Sequence, residues 1–538
     1  MKSLALVVTL SALTALSASI TPNDQGIVGK DDSASIQNAV DAAVKNGSGQ
    51  VVIPAWNART KRSGWTVSRA ILLPSDVTVV IDNAHLTMAD GVYENFFRGA
   101  NVWTDRGRTP EGKLSNIRIL GRGNAVLDGG KANDLNESTS LKDGRPHVRA
   151  NCPVLLVNTE RFEVSGLTVE NHRYWGLCFS FCRFGRIADI RFIARYDRRN
   201  QDGINLRNGC HDITIERISG QTGDDMIALS AIDRANDSKW SYAVRDLPSD
   251  IFNVTIRDIS GAAVCHPLVA LRNHNGAKIH DILIENVRDT DFLVPCAGQD
   301  MQRYALVRLG NGIYWSERKS VLGETTRITL KNLACSHSAL GVVVNGTLKN
   351  SRIDGIRCSG PCAAAVSTSG PDWGGIGATV ENVTIANAAV ESDASDTAIL
   401  DSRFLNPGDF IRDTRLVNCS LVRAGKRTLF ANECVDRVGG EAGISEPDNE
   451  NGTFCGTDLA QQGKQTGRDR FYGSFPFLLL HQPRFADVER QISPGRSAEQ
   501  SRALPARHFN PDDRNVVLLR CAFFDAGQGR RTRAQLFA

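Results

Sequence analysis

The chain repeats a short pattern in which a polar residue is followed by apolar residues at alternating positions. Each copy reads Asn or Asp, then Ile or Val, one further residue, and Ile; the clearest copies are residues 116–119, 212–215, 253–256, 281–284 and 382–385. Alternation with a period of two, together with many Ile and Val residues, is typical of strands rather than helices. The pattern therefore predicts short strands that recur along most of the chain.

The spacing of these copies predicts that the strands stack as coils. Val254 follows Ile213 by 41 residues, and Ile282 follows Val254 by 28, so the repeat is loose and its insertions form loops. A second series of apolar strands lies at residues 203–206, 226–229, 268–271 and 340–344. One coil cannot bury its apolar face alone, whereas coils stacked about 4.8 Å apart enclose a continuous apolar column. We therefore expect an all-β fold, a single-stranded parallel β-helix.

Both ends of the chain depart from the repeat. Residues 1–19 contain Lys2 followed by an apolar stretch and small residues, which is the pattern of a signal peptide and predicts a secreted, extracellular or periplasmic location. Apolar positions with helical spacing at residues 35–44 predict a helix that caps the first coil. We assign the β-helix catalytic domain to residues 20–433 and an irregular C-terminal extension of unassigned fold to residues 434–538.

Composition narrows the classes of partner. The 538 residues are 41% hydrophobic and 23% charged, which is typical of a globular protein. A net charge of +4 is too small for a nucleic-acid-binding surface, and no segment after the signal peptide has 18 consecutive apolar residues that would span a membrane. We expect a monomer.

The 13 cysteines make Cys358 with Cys362, and Cys178 with Cys182, candidate disulfides. No histidine pairs accompany these cysteines at zinc-site spacing, so neither a metal ion nor a cofactor is expected.

Two aspartates, Asp202 and Asp225, stand at matching positions of successive coils, and a third, Asp224, adjoins one of them. Asp202 lies two residues before Ile204, Asp225 lies two residues before Ile227, and the two aspartates are 23 residues apart, which is about one coil. Stacking places their carboxylates roughly 5 Å apart by the sheet spacing, with Asp224 beside them. Repulsion among close carboxylates raises the proton affinity of at least one, which supplies the acid and the base that glycosidic hydrolysis requires. A calcium site is the competing interpretation of these acids.

The order of these motifs resembles that of the polygalacturonase-like glycoside hydrolases of family 28, within the pectin-lyase-like right-handed β-helix superfamily. The resemblance covers roughly residues 30–400, and it rests on an Asn-x-Asp turn at residues 200–202, a Gly-Asp-Asp turn at 223–225, and the segments 126–129 and 171–176. It implies that Asp224 is the general acid and that Asp202 and Asp225 activate water for inversion. It also implies that His266, which stands where the family has Gly-His-Gly, lies near the general acid and adjusts the proton affinity of that acid.

Substrate recognition departs from the family's pattern. The family grips a substrate carboxylate with Arg-Ile-Lys, and residues 308–310 read Arg-Leu-Gly, so Arg308 is retained and the lysine is missing. Arg272 is a candidate replacement. The remaining expected substrate-binding residues are Asn200, in the first aspartate turn, and Tyr174 and Trp175, whose rings are candidates for a sugar-stacking platform or for buried packing.

The leading hypothesis is a secreted glycoside hydrolase that cleaves a pectin- or polygalacturonate-like polysaccharide by an inverting mechanism. Inversion requires an acid and a base roughly 6.5 to 9.5 Å apart, so that a water molecule fits between them. One alternative is a calcium-dependent polysaccharide lyase or epimerase, in which Arg272 or Arg308 removes a proton. Another is a non-catalytic carbohydrate-binding β-helix. Loops around residues 233–250 and 288–303 are expected to wall the cleft.

Overall fold

The computed structural model describes residues 19–130, 152–194, 200–232, 244–264, 266–294, 304–310, 318–368, 378–392, 397–403, 405–423 and 425–439. The expected signal peptide falls almost wholly outside the described residues, as does most of the C-terminal extension. Most residues of the two loops expected to wall the cleft, 233–243 and 295–303, also lie outside them.

Strands make up most of the described chain, after one N-terminal helix. The helix is α1 (Asp32–Lys45), and two short 3-10 helices lie at Arg106–Arg108 and Pro110–Gly112. The strands are β1 (Gln50–Pro54), β2 (Trp56–Asn57), β3 (Arg62–Ser63), β4 (Trp65–Val67), β5 (Ile71–Leu73), β6 (Val77–Asp82), β7 (His85–Met88), β8 (Phe97–Gly99), β9 (Leu114–Arg122), β10 (Val126–Asp128), β11 (Val154–Val157), β12 (Thr159–Ser165), β13 (Thr168–Glu170), β14 (Leu177–Ser180), β15 (Arg183–Ile193), β16 (Ile204–Arg207), β17 (His211–Thr222), β18 (Ile227–Ile232), β19 (Ile251–Ala263), β20 (Val269–His274), β21 (Ile279–Asp289), β22 (Ala305–Leu309), β23 (Thr325–Cys335), β24 (Leu340–Val344), β25 (Thr347–Cys358), β26 (Ala364–Thr368), β27 (Thr379–Ala386), β28 (Ala389–Ser392), β29 (Ala398–Asp401), β30 (Phe410–Arg423) and β31 (Lys426–Val438).

These strands form a right-handed parallel β-helix, which confirms the predicted fold class. Sheet A contains 18 described strands, among them the long strands β15, β17, β19, β21, β23 and β25 in adjacent order. Sheet B contains 11 shorter strands, in the order β5, β8, β11, β14, β16, β18, β20, β22, β24, β26 and β29. Each coil contributes a strand to each sheet, and the strands of successive coils pair in parallel.

The polar residue that opens each repeat forms a column of left-handed backbone turns along sheet A. Asp212, Asn253 and Asp281 follow one another in the strand register with φ values of 55°, 51° and 55°, and Asn382 has a φ of 53° further along the same column, after Arg327 and Asn350. Asn and Asp tolerate this conformation better than other non-glycine residues because their short side chains form local hydrogen bonds. Asn253 donates its side-chain amide to the Asp212 carboxylate of the preceding coil. The repeated Asn or Asp therefore bends each long strand.

The apolar positions of the repeat fill the interior of the coil stack. In sheet A one column consists of buried residues that are register partners: Ile215, Ile256, Ile284, Leu330, Ile353 and Ile385. In sheet B a matching column consists of Ile204, Ile227, Val269, Val307, Val342 and Val366. Full burial of such a side chain contributes about 1.5–3 kcal/mol, so these columns supply much of the driving force for stacking.

The two ends of the described stack are covered differently. Helix α1 begins after the N-cap residue Asp31, whose carboxylate accepts a hydrogen bond from the Ala34 N–H, and it packs Ile36 and Val40 into the core. This confirms the predicted capping helix. At the other end β31 pairs antiparallel with β30 and continues to Val438, so the expected boundary at residue 433 falls within a strand. None of the helices in the described part of the chain combines the length and apolar character needed to cross a bilayer.

One of the two cysteine pairs expected from the sequence is wrong in this fold. Cys182 packs inside the coil with Phe179 and Phe162, whereas Cys178 lies on the outer face of sheet B with Tyr174 and Trp175. The chain bends between the two cysteines, where Phe181 has a left-handed backbone (φ 51°) between β14 and β15, so the two sulfur atoms lie on opposite sides of the coil wall.

Candidate active site

The three aspartates lie in the turns that precede two neighbouring strands of sheet B. Ile204 of β16 pairs with Ile227 of β18, so Asp202 and Asp225 occupy the same position on successive coils. The backbone N–H of Gly203 donates to the carbonyl oxygen of Asp225 at 2.9 Å and locks this register. Val269 of β20 pairs with Ile227, which places His266 on the next coil at the position of Asp224. The strand register therefore gathers three acids and one histidine.

Asp224 is held at both carboxylate oxygens. Its Oδ2 accepts the backbone N–H of Asn200 at 2.8 Å, and its Oδ1 accepts the N–H of Asp225, also at 2.8 Å. His266 Nδ1 lies 3.1 Å from the same Oδ1. Only 13% of the Asp224 side chain is exposed, and Thr222 donates its hydroxyl to the Asp224 carbonyl oxygen. These contacts fix the carboxyl group while leaving it reachable from the surface.

Asp202 is the most deeply placed of the three acids. It is 6% exposed, and the side-chain amide of Asn205 donates to its Oδ2 at 3.1 Å. Burial raises the pKa of Asp202 well above its ordinary value, and the nearby carboxylates of Asp224 and Asp225 raise it further. The Asn205 hydrogen bond and the charge of Arg272 act in the opposite direction. Asp202 is thus the carboxyl group in the cluster whose surroundings favour the protonated form.

Asp225 has a more mixed environment. Burial raises its pKa, while Arg308 is the strongest influence that lowers it, with its Nη2 at 3.6 Å from Asp225 Oδ2. The negative charge of Asp224 raises the pKa of Asp225, and His266, whose Nδ1 is 3.9 Å from Asp225 Oδ1, lowers it. Arg308, His266 and Arg272 all lower the pKa of Asp225, whereas only Arg272 among them lowers that of Asp202, so Asp225 lies closer to the ionised form.

A buried layer of polar residues supports the turn of Asp202. His172 is 1% exposed, and its Nε2 lies 2.9 Å from the Asp202 carbonyl oxygen. Burial lowers the pKa of His172 to about 4, so at neutral pH the ring is uncharged and donates from Nε2 to that carbonyl. Gln201 returns a hydrogen bond of 2.6 Å from its amide to the His172 carbonyl oxygen. The turn is therefore tied to the preceding coil on both sides of Asp202.

Tyr174 and Trp175 lie beneath the site rather than in its opening. They are 1% and 4% exposed, and their ring centroids are 4.7 Å apart. The guanidinium of Arg207 covers the Trp175 ring at 4.6 Å, and the Tyr174 hydroxyl reaches Asn200 Oδ1 at 3.4 Å. An open stacking platform, one of the two roles weighed from the sequence, requires an accessible ring face, so the geometry corrects that expectation in favour of buried packing.

The two candidate substrate arginines project from neighbouring strands of sheet B. Arg308 of β22 follows Ala270 of β20 in the strand register, and Arg308 is 4% exposed. Arg272 of β20 is more exposed and has Gly310 as its neighbour on the next coil, since Leu271 pairs with Leu309 and the Gly310 N–H donates to the Leu271 carbonyl oxygen at 2.7 Å. Gly310 itself has a left-handed backbone (φ 82°), and a Cβ added there would meet the Asn345 carbonyl oxygen of the following coil at 2.9 Å.

The sequence motifs do not point to three residues that contact Asp202 or its turn: Asn205, Gln201 and His172. Asn205 carries one signal that was available, because it is the polar residue in the otherwise apolar core of strand β16, Ile204-Asn205-Leu206. A buried strand rarely contains a polar side chain without a partner for it. Gln201 and His172 give no such signal, since their partners are backbone carbonyl oxygens of another coil.

The cluster also offers ligand atoms to a cation. One atom each from Asp224, Asp225 and His266 lies within 4.8 Å of the other two. Two carboxylates and an imidazole are acceptable ligands for a divalent ion, although calcium prefers a set of six to eight oxygen atoms. The arrangement therefore fits acid–base chemistry directly and a metal ion less completely.

No family model matches this sequence, and a search of curated proteins finds no significant match. Among solved structures, a polygalacturonase from Erwinia carotovora ssp. carotovora is 14% identical, with a TM-score of 0.48 over 72% of this chain and 96% of that one. An exopolygalacturonase from Thermotoga maritima is 13% identical, with a TM-score of 0.43 over 75% and 90%. PfbA, a surface adhesin of Streptococcus pneumoniae, is 12% identical, with a TM-score of 0.46 over 79% and 97%. Similarities at this level carry no information on the reaction.

Proposed function

We propose that this protein is a glycoside hydrolase that cleaves an acidic polysaccharide, with inversion, at the cluster of Asp202, Asp224 and Asp225. The observation that supports the proposal is the gathering of three carboxyl groups in unequal environments on two successive coils. Repulsion among three close carboxyl groups favours a cluster that holds a proton beside an ionised carboxylate, and glycosidic hydrolysis uses that combination. Packing of the coils does not need three acids at one place.

In this proposal Asp224 protonates the leaving glycosidic oxygen. Its carboxyl group is fixed by two backbone N–H groups, and His266 Nδ1, 3.1 Å away, is placed to return a proton after each turnover. A positioned general acid contributes typically 10²- to 10⁴-fold to a rate. His266 acts through Asp224 and is a positioning residue.

Asp225 takes the proton of the attacking water in this proposal, and Asp202 orients the same water. Arg308 and His266 favour the ionised form of Asp225, which a general base requires. The protonated form of Asp202, favoured by its burial, keeps the cluster from holding three negative charges at once.

The substrate class follows from the charges around the acids. Arg272 lies on β20, which pairs with β18, and Arg308 lies on β22, which pairs with β20. Both arginines lower the pKa of Asp225. Guanidinium groups bind carboxylates through paired hydrogen bonds, so a polymer of uronic acids of the polygalacturonate type is the proposed substrate. Residue 310 is glycine where the resembling family has lysine. Arg272, on the neighbouring coil, would supply the second cationic contact with the substrate in its place.

A panel digestion tests this function. Purified protein is incubated with polygalacturonate, methyl-esterified pectin, alginate and neutral glucans, and new reducing ends are measured. Polygalacturonate is expected to be cleaved, and the rate of cleavage by Asp224→Asn is expected to be at least about 10²-fold lower than that of the wild type. The matched control is Asp258→Asn, because Asp258 is exposed on sheet A and its column already contains Asn286 and Asn332 with left-handed backbones. Retention of glycan without any new reducing ends would instead identify a binding protein.

A calcium-dependent lyase is the second candidate, because Asp224, Asp225 and His266 can together contact one cation. A lyase removes a proton from the uronate and leaves an unsaturated product that absorbs ultraviolet light. The same digestions followed by absorbance distinguish the two reactions, because hydrolysis creates no double bond.

A further inference from the structure

Two pairs of cysteines lie directly opposite each other on successive coils of sheet A. Cys335 at the end of β23 and Cys358 at the end of β25 are register partners. Cys182 and Cys210 have the same relation, since Arg183 pairs with His211 and the His211 N–H donates to the Cys182 carbonyl oxygen at 3.1 Å. All four side chains are 0–3% exposed and belong to the core.

The register stacks the side chains of each pair, which are free thiols in this structure. Cys182 Sγ contacts the Leu156 carbonyl oxygen at 3.4 Å and Cys210 Sγ contacts the Phe179 carbonyl oxygen at 3.5 Å, and Leu156 and Phe179 are themselves register partners. The Cys335 and Cys358 sulfur atoms, together with that of Cys362 in the following turn, all lie within 4.8 Å of one another. Adjacent parallel strands place opposed Cα atoms about 4.8–5.5 Å apart, and this lies inside the range of about 4.4–6.8 Å that a disulfide spans. Bridging either pair therefore needs no rearrangement of the backbone.

Electrostatics decides between a disulfide and a metal ion at the three-sulfur group. A metal site would require buried thiolates next to the Asp289 carboxylate, whose Oδ2 is 3.9 Å from Cys335 Sγ. Asp289 favours the negatively charged form. Its carboxylate accepts the backbone N–H groups of Ser336, His337 and Ser338, and these hydrogen bonds lower its pKa. A divalent ion would offset only two of the four negative charges of three thiolates and Asp289, so a net negative charge would remain in the core, whereas a disulfide is neutral.

The register also favours Cys335 over Cys362 as the partner of Cys358. A bridge between Cys335 and Cys358 encloses 24 residues and joins two coils, whereas one between Cys358 and Cys362 encloses five residues of a single turn. Constraint of the unfolded chain grows with the length of the enclosed loop.

We propose that Cys182–Cys210 and Cys335–Cys358 are disulfide bonds that fasten successive coils of the β-helix. Each bridge forms during folding, before the coils bury the thiols: one cysteine thiolate attacks a small disulfide oxidant such as oxidised glutathione, and the second cysteine then displaces glutathione from the resulting mixed disulfide. One S–S bond forms in the protein, the S–S bond of the oxidant breaks, and two electrons and two protons leave with the two thiols of the reduced oxidant. This assignment is independent of the proposed hydrolase activity.

Peptide mapping tests the assignment. Full-length protein is unfolded and reduced, refolded in a buffer of reduced and oxidised glutathione, alkylated in denaturant without reductant, digested and analysed by fragmentation mass spectrometry. The expected species join the peptide of Cys182 to that of Cys210, and the peptide of Cys335 to that of Cys358, with Cys362 and Cys419 alkylated. Cys419 is the matched control, because it is buried and its sulfur contacts the Ile385 carbonyl oxygen.

Two variants make the result specific. Cys362→Ala is expected to keep the Cys335–Cys358 link, and Cys335→Ala is expected to abolish it. Alkylation of Cys182, Cys210, Cys335 and Cys358 in the oxidised wild type would overturn the proposal, as would a Cys358–Cys362 link or a bound metal ion that protects the three thiols until a chelator is added. These readouts do not depend on catalysis, so failure of the disulfides and failure of the proposed function are distinguishable.

Discussion

The backbone N–H of Asn200 donates to the carboxylate of Asp224 at 2.8 Å, although the two residues are 24 positions apart in the sequence. This bond joins the turn before β16 to the turn before β18. Because the same turns carry Asp202 and Asp225, it ties all three acids into one structural unit. Changes to any member are therefore expected to affect both the proton affinity of the others and the stability of two coils.

Asp202→Asn is expected to stabilise the fold at neutral pH while it reduces activity. Burial raises the pKa of Asp202 in the folded protein, so this group favours folding most below its ordinary pKa of about 4, and that contribution is lost as the pH rises through the folded-state pKa. Asparagine does not titrate. Thermal unfolding at pH 3.5, 5 and 7 is expected to show a midpoint difference, variant minus wild type, that grows with pH.

Asp281→Asn is the control of opposite sign. The ion pair with Arg327 lowers the pKa of Asp281, so its contribution to stability is present above the ordinary pKa and lost as the pH falls. The effect is small because both side chains are about half exposed. If Asp202→Asn instead lost stability at neutral pH, as Asp281→Asn is expected to do, the buried, proton-retaining environment assigned to Asp202 would be wrong.

Asn205→Ala is expected to act through Asp202. The Asn205 amide donates to Asp202 Oδ2 and lowers the pKa of that carboxyl group, so its loss moves the pH dependence of kcat toward higher pH. Loss of one hydrogen bond, about 1 kcal/mol, corresponds to roughly a fivefold fall in kcat/KM. Cys178→Ala is the control, because Cys178 is the buried register partner of Asn205. An unchanged pH profile in Asn205→Ala contradicts this role.

Arg272→Gln is expected to weaken recognition of the substrate carboxylate. Loss of a charge-assisted contact corresponds to about 10- to 100-fold in kcat/KM on polygalacturonate, and to little change on methyl-esterified oligomers. Arg288→Gln is the control, since Arg288 is exposed on sheet A and contacts Ser260. Equal losses on charged and esterified substrates would show that Arg272 supports the acids rather than the substrate.

Chelation separates the hydrolase from its calcium-dependent alternative. With excess EDTA, the rate of reducing-end formation is expected to remain unchanged, because the proposed steps use side chains of the cluster alone. Loss of activity that calcium restores, together with ultraviolet-absorbing products, would assign Asp224, Asp225 and His266 to a metal ion.

Much of the fold was predictable because the repeat encodes it locally. An Asn or Asp that tolerates a left-handed backbone, followed by alternating Ile and Val, specifies both the bend and the buried face of each long strand. The 23-residue interval between Asp202 and Asp225 likewise specifies their relation across two coils. These features depend on backbone geometry, which short motifs determine.

The environment of the site was less predictable because it depends on packing between distant residues. The sequence does not show that Arg207 covers the Trp175 ring or that Tyr174 is buried against that ring. Nor does it show that fewer neighbouring groups lower the pKa of Asp202 than that of Asp225. The partner of Cys182 was also misjudged, since proximity in the chain favours Cys178, whereas the coil register presents Cys210. Such relations arise from the order in which coils stack.

The most direct test of the central claim is digestion of polygalacturonate in water enriched in oxygen-18, with mass spectrometry of the products. The three-aspartate cluster predicts that the wild type places one labelled oxygen on each new reducing end and that Asp224→Asn forms such products at least 10²-fold more slowly. Unlabelled, unsaturated products from the wild type, or labelled products from Asp224→Asn at the wild-type rate, would contradict it.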